Sequence, residues 1–264
     1  KLQPFLAQRW SVSTDRLTYT FYLNPAAKFA SGTPVSAEAV AKNIERIRTS
    51  TGVAAKYSAA MSVVSGERAV DSTTLEVTLT RPSNTWLYSM GDTAGMIADP
   101  AGFDTLGTAT AGSGPYALSQ WKRGDSIVLQ RNANYWGTSP RFDQVTFKYY
   151  ADPNAMNAAM LAGTIDIISN QQAPDALVQF SDTSKYTIID GGTNGEVTLG
   201  LNNSSEPLKN LKVRQAIAMA IDKNKLLTDV AAGHGTVIGS MVVPTDPYYE
   251  DLSGVNAYNP TQAK

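Results

Sequence analysis

The chain of 264 residues has no cysteine and one histidine, His234. The first absence excludes a disulfide framework and thiolate metal sites, and it is compatible with an oxidising compartment. A single histidine excludes an H-E-x-x-H zinc site, and neither G-x-x-x-x-G-K-[ST] nor G-x-S-x-G occurs. Phosphate-loop and nucleophile-elbow chemistry therefore have no residues to act through. No run of 18 apolar residues exists, and the first residues, KLQPFLAQRW, lack a signal-peptide apolar region. Lys and Arg form no long run and the net charge is −1, so nothing marks a nucleic acid or an anionic membrane surface as partner.

What is present is a globular composition, 42% hydrophobic and 17% charged, with length for one large or two ordinary domains. The organising stretch runs from Gly112 to Gly137, GSGPYALSQWKRGDSIVLQRNANYWG. Gly112 and Gly114 flank Ser113 and allow φ values that other residues avoid, so a sharp, strained turn is expected here. Pro115 fixes its own φ and biases Gly114 away from the helical region, so the next run should start extended. Tyr116 to Trp121 and Ser126 to Arg131 then read as a hairpin about the charged turn Lys122 to Asp125, and Tyr135 and Trp136 as anchors of the loop after it.

Before that stretch, Leu6 to Val12 pairs naturally with Leu17 to Leu23, whose Leu17, Tyr19, Phe21 and Leu23 share one face. Ser36 is placed to cap a helix from Ala37 to about Arg48, with Ala37, Val40, Ile44 and Ile47 as its apolar stripe. A short helix near Ala54 to Met61 precedes a second hairpin, Val63 to Val70 with Thr74 to Leu79. Ser83 suits the cap of a short helix through Trp86 and Met90, and Pro100 to Gly112 reads as a boundary between units. Beyond the opening stretch, Gln144 to Tyr150, a helix from Pro153 to Leu161 and Thr164 to Ile168 read as a strand, helix, strand unit. Pro174 to Phe180 is a further short helix, and Tyr186 to Ile189 and Gly195 to Leu201 are expected strands. Helices are expected over Lys212 to Ile221 and again from Asp222 to Gly233. Asn259 and Pro260 suit a helix start close to Lys264, which points to a fragment or processed form of something longer.

Chemistry-bearing residues are sparse. His234, between two glycines, reads as an exposed loop residue without acid-base partners. Asp166 and Asp175 read as solvated or capping groups. Gly112, Gly114 and Ala117 fit the loosest dinucleotide fingerprint, but Pro115 leads into a strand where that motif must open a helix. No catalytic residue, metal ligand or cofactor site is assigned.

Four segments occur in a fixed order: PFLAQRWSVSTDRLTYTFYLNPAAKFASGTPVSAEAVAKNIERI, GSGPYALSQWKRGDSIVLQRNANYWG, NAAMLAGTIDI and LNNSSEPLKNLKVRQAIAMAIDKNKLL. Together they resemble the extracytoplasmic solute-binding proteins of ABC importers, in the family that includes oligopeptide-, dipeptide- and nickel-binding proteins. The resemblance implies an α/β, periplasmic-binding-protein-like fold of two lobes about a hinge, with mainly the first lobe present and much of the second outside these residues. It implies a smaller subdomain of lobe one over residues 1–107, an α/β core over 108–199, and the hinge and start of lobe two over 200–264. It further implies a peptide or other small solute as ligand, a membrane permease as partner and an extracytoplasmic location. Ligand-facing positions implied in this way are Trp86, Met90, Asp92, Thr93, Ser113, Glu196 and Thr198. Each also has a plain structural reading: core for Trp86 and Met90, turn for Asp92, Thr93 and Ser113, solvated strand for Glu196 and Thr198. Two alternatives stand beside this reading: an extracellular hydrolase, against which the single His234 and the lack of a nucleophile motif count, and a binding-defective first-lobe fragment acting as an interaction module.

Overall fold

A computed structural model describes residues 2–264. Contacts divide the chain into two compact units, the first ending at Tyr149 and the second running from Tyr150 to Lys264.

The first unit is built on alternation. β1 (Ala7–Val12) and β2 (Thr18–Leu23) form the expected hairpin, and β2 buries Tyr19, Phe21 and Leu23 while the residues between them stay half-exposed. β3 (Val64–Ala69) and β4 (Thr74–Leu79) form the second hairpin, and β4 buries Leu75, Val77 and Leu79 in the same rhythm. β2 pairs with β4, so the order is β1-β2-β4-β3, antiparallel throughout, with one apolar face turned to a common core. α1 (Ala37–Thr49) covers that face. Ser36 accepts a hydrogen bond from the Ala39 amide at 3.2 Å, and Ala37, Val40, Ile44 and Ile47 are all buried, as their spacing predicts. α2 (Ala55–Met61) adds Met61 to the core.

Asn43, fully buried on α1, ties this layer to the segment after it. Its Nδ2 donates to the Ala98 carbonyl at 2.7 Å, the Ala98 amide donates back to Oδ1 at 3.0 Å, and Nδ2 also reaches the Ala39 carbonyl at 2.8 Å. One side chain thus replaces a missing neighbouring strand. Pro100–Thr105, inside the segment read as a boundary, forms a 3₁₀ turn capped by Asp99.

The rest of the unit is a three-stranded antiparallel sheet, β5 (Tyr116–Lys122), β6 (Ser126–Arg131) and β7 (Gln144–Lys148) in that order. Gly124 turns the first hairpin at φ +77, a value that favours glycine. Trp121, Ile127 and Phe147 lie in one row across the sheet; Trp121 and Phe147 remain exposed, and Arg123 stacks on the Trp121 ring at 4.2 Å.

The second unit contains α4 (Pro153–Leu161), α5 (Leu211–Ala220), α6 (Lys223–Ala231) and α7 (Pro260–Ala263), each near its expected position. Asp152, Asn210, Asp222 and Asn259 each cap a helix through a side-chain oxygen, and the Asn259 amide donates to the Met219 carbonyl at 2.8 Å, seating α7 beside α5. Pro174–Phe180 is helical but 3₁₀. The three expected strands Thr164 to Ile168, Tyr186 to Ile189 and Gly195 to Leu201 do not form, which corrects the strand, helix, strand reading. Several of their apolar side chains lie in the open, with Ile189 90% and Ile167 80% exposed. A strand exists only when a neighbour takes its backbone groups, and among the described residues none of the three has a ladder with another segment.

Replacing Asn43 with Ala leaves both polar groups of the Ala98 peptide without partners. The expected loss is on the order of 3 kcal/mol, read as a lower urea midpoint at unchanged m-value; a shift below about 1 kcal/mol contradicts the clamp.

Candidate functional site

Three segments carry the residues singled out from the sequence. The first is the corner after β4. Ser83 accepts from the amides of Thr85 and Trp86 at 3.3 and 3.1 Å and starts α3 (Trp86–Met90). Trp86 points into the core, 1% exposed, edge-on to Tyr19 at 4.9 Å and Phe21 at 6.1 Å between ring centres. Met90, half-buried, lies against the same core. The chain then doubles back so closely that a Cβ on Gly95 would stand 2.0 Å from the Met90 carbonyl oxygen, and only glycine fits. Asp92 caps the 3₁₀ turn Thr93–Gly95, accepting from the Thr93 amide at 2.7 Å and the Thr93 hydroxyl at 3.3 Å. Lys56 beside the Tyr57 hydroxyl, with a smaller contribution from Thr93, holds that phenol below its ordinary pKa. Asp92 is exposed and Thr93 shapes the turn, whereas Trp86 and Met90 serve the core.

The second segment is the strap Ala111 to Pro115, where Ser113 is buried. Every carbonyl of the strap is taken. Ala111 accepts from the Asp99 amide at 2.7 Å, Gly112 from the Ala30 amide at 2.9 Å, Ser113 from Trp136 Nε1 at 3.2 Å, Gly114 from Asn132 Nδ2 at 2.8 Å and Pro115 from the Asn132 amide at 2.9 Å. Asn134 adds a bond from Nδ2 to the Ala30 carbonyl at 3.0 Å. The strap is therefore held from both sides, by the loop residues Ala30 and Asp99 and by the loop after β6. Its glycines do not bend as expected: neither Gly112 nor Gly114 has a positive φ, and a Cβ on Gly114 would meet nothing within 4 Å. The junction is fixed by its hydrogen bonds and not by backbone strain, which overturns the strained-turn expectation. The Ser113 hydroxyl makes no hydrogen bond with the described residues.

The third segment lies in the second unit, where Glu196 and Thr198 occupy alternate positions of a stretch without regular secondary structure and Thr198 is exposed. Sequence reasoning missed two features of this unit. His234 Nδ1 stands 3.3 Å from Asp190 Oδ2, a partner 44 residues away that no local pattern announces. A cavity of about 290 Å³ is lined by Phe180, Ser181, Thr183, Tyr186, Thr187 and Ile188, with Phe180 edge-on to Tyr186. Among the described residues no three His, Cys, Asp or Glu side chains gather in a way that could hold a metal, and no helix is long and apolar enough to cross a membrane.

The family model for bacterial extracellular solute-binding proteins, family 5 middle region, matches residues 1–264. The probable D,D-dipeptide-binding periplasmic protein of Escherichia coli is 31% identical over 87% of this chain, and the nickel-binding periplasmic protein of the same organism is 29% identical over 99% of it. Those alignments cover 46% and 51% of the two relatives, so the chain spans about half the length of the curated relatives it matches. The crystal structure of NikA from Brucella suis in complex with Fe(III)-EDTA superposes with a TM-score of 0.84 at 28% identity, over 99% of this chain and 54% of that one. The fold is accordingly α/β and periplasmic-binding-protein-like, with about half of that architecture present.

The contrast between glycines is testable by thermal or urea denaturation. Gly114→Ala is expected to change stability by less than about 0.5 kcal/mol. Gly95→Ala is expected to cost about 1–3 kcal/mol through overpacking, and Asn132→Ala a similar amount through the orphaned Gly114 carbonyl and Asn134 amide. A Gly114 variant as costly as the other two contradicts the account of the strap.

Proposed function

Because the chain belongs to the bacterial extracellular solute-binding proteins of family 5, we propose that it is the solute-capturing part of an ABC importer component that works outside the cytoplasm. The match over residues 1–264 carries this reading. The solute is a peptide in our reading, as in the relative named for D,D-dipeptide binding. It is held in a cleft between two lobes that close on it, and handed to a membrane permease. The division into residues 1–107, 108–199 and 200–264, with a hinge near Leu199 to Asn203, belongs to the same proposal.

Within it, Ser113, Asp92 and Thr93 are the polar ligand-facing residues we assign in the first unit, with Met90 as apolar lining; Glu196 and Thr198, in the second unit, are assigned on the family resemblance alone. Ser113 is the strongest of these, being buried, rigidly held and unpartnered. Trp86 acts by fixing the corner that presents Asp92 and Thr93, since its ring is enclosed by Tyr19 and Phe21. No covalent chemistry is assigned. The Asp190 and His234 pair is half-exposed or more, and among the described residues no hydroxyl is hydrogen-bonded to the imidazole.

Titration of the 264-residue chain with dipeptides and a short peptide library tests the proposal. Saturable shifts of amide resonances are expected, with affinity weaker than roughly micromolar, because contacts from one wall are fewer than a closed clamp provides. Recovered peptide should be unchanged. The absence of any shift at millimolar peptide contradicts solute capture, and cleavage that disappears in His234→Ala establishes the hydrolase instead.

A further inference from the structure

Asn194 is the one asparagine of the chain that a glycine follows. It lies in the stretch 190–195, where every residue is exposed and none belongs to a helix or strand. Asparagines that precede other small residues are held in place. Asn157, before Ala158, is buried in α4 and bonded to Gln171, and Asn132, before Ala133, is buried and bonded through both its side-chain oxygen and its nitrogen. The Asn194 carboxamide makes no hydrogen bond with any described residue.

The backbone that follows Asn194 is equally open. The Gly195 amide donates to Thr193 Oγ1 at 3.1 Å, a bond within the same loop, and among the described residues it joins no ladder with another segment. Gly195 has no Cβ to shield its nitrogen, and its wide φ range lets that nitrogen swing toward the preceding side chain. A carboxamide carbon, an unshielded backbone nitrogen beside it and a loop able to bring the two together are what intramolecular cyclisation requires. Holding the reacting atoms in one short segment replaces a bimolecular encounter.

We propose that Asn194–Gly195 is a site of spontaneous covalent modification, at which asparagine converts through a cyclic imide to aspartate and isoaspartate. The Gly195 nitrogen attacks Asn194 Cγ. The N–Cγ bond forms, the Cγ–Nδ2 bond breaks, and Nδ2 leaves as ammonia with the proton that the Gly195 nitrogen gives up. Water then adds to one of the two ring carbonyls and opens the imide. Breaking the new N–Cγ bond leaves aspartate in an ordinary backbone, whereas breaking the original peptide bond leaves isoaspartate, with the backbone routed through Cγ. Nothing is oxidised or reduced. Either product puts a new carboxylate in the loop that carries Asp190, two residues before Glu196, and the chemistry does not depend on the identity of the solute.

Incubation of the 264-residue chain in mildly alkaline buffer, followed by peptide mapping and enzymatic methylation of isoaspartate, tests the proposal. Conversion is expected first at Asn194, at a rate within about threefold of that in the urea-unfolded chain, because an exposed loop gives little protection. Gly195→Ala, whose Cβ would meet only the Thr193 hydroxyl at 3.2 Å, should leave the melting temperature unchanged. It should slow the conversion about tenfold, by shielding the nitrogen and narrowing φ. Isoaspartate arising at Asp190, which precedes Gly191, brings no gain in mass and is told apart in the map. Conversion of Asn194 only after unfolding, an equal rate in Gly195→Ala, or earlier conversion at another asparagine overturns the proposal.

Discussion

Five consecutive carbonyl groups, Ala111 to Pro115, form the constraint on which the first unit depends. Their donors come from Asp99 and Ala30 on one side and from Asn132 and Trp136 on the other. A loop that crosses between two sheets normally exposes its backbone to water, because buried polar groups without partners are costly. Here the surroundings satisfy every acceptor, so the crossing can be partly buried and still be rigid. Asp99 contributes twice, since its side chain also accepts from Ser31 at 2.6 Å and from the Ala101 amide at 3.1 Å. The Asn43 clamp on Ala98 sets the same segment one residue earlier. Positional order passes from α1 through Ala98 and Asp99 to Ser113, the residue on which the proposed ligand contact rests.

The elements that were legible in the sequence are those whose cause is local. β2 and β4 announce themselves because a half-buried strand must alternate, and Tyr19, Phe21, Leu75 and Val77 do. α1 is written in its Ser36 cap and apolar stripe, and α7 in Asn259 and Pro260. The strands expected at Thr164 to Ile168, Tyr186 to Ile189 and Gly195 to Leu201 failed for the converse reason. Alternating side chains give a segment the capacity to join a sheet, but the ladder also needs a neighbour, which those segments lack.

The candidate site was legible only in part. Ser113 came from the family resemblance, at a turn that its flanking glycines marked, and what fixes that turn is not glycine flexibility. Its neighbours' carbonyls are bound by residues far along the chain, as the 104-residue reach of Asn134 to Ala30 shows. The same distance hides the pairing of Asp190 with His234 and the hydrogen bond from Arg16 to Asn84 across 68 residues. Trp86 illustrates the ambiguity of a single large side chain. Its body belongs to the core with Tyr19 and Phe21, while its one polar atom has no partner there.

Native-state hydrogen exchange tests the strap most directly. The amides of Ala30, Asp99 and Asn132 donate to its carbonyls and belong to no strand or helix. If the strap is the rigid link between the two sheets, these three exchange only through the same opening that releases the β2–β4 ladder, with protection matching the strand amides. Exchange of the three about a hundredfold faster than the ladder, as local opening of a mobile loop gives, contradicts the account.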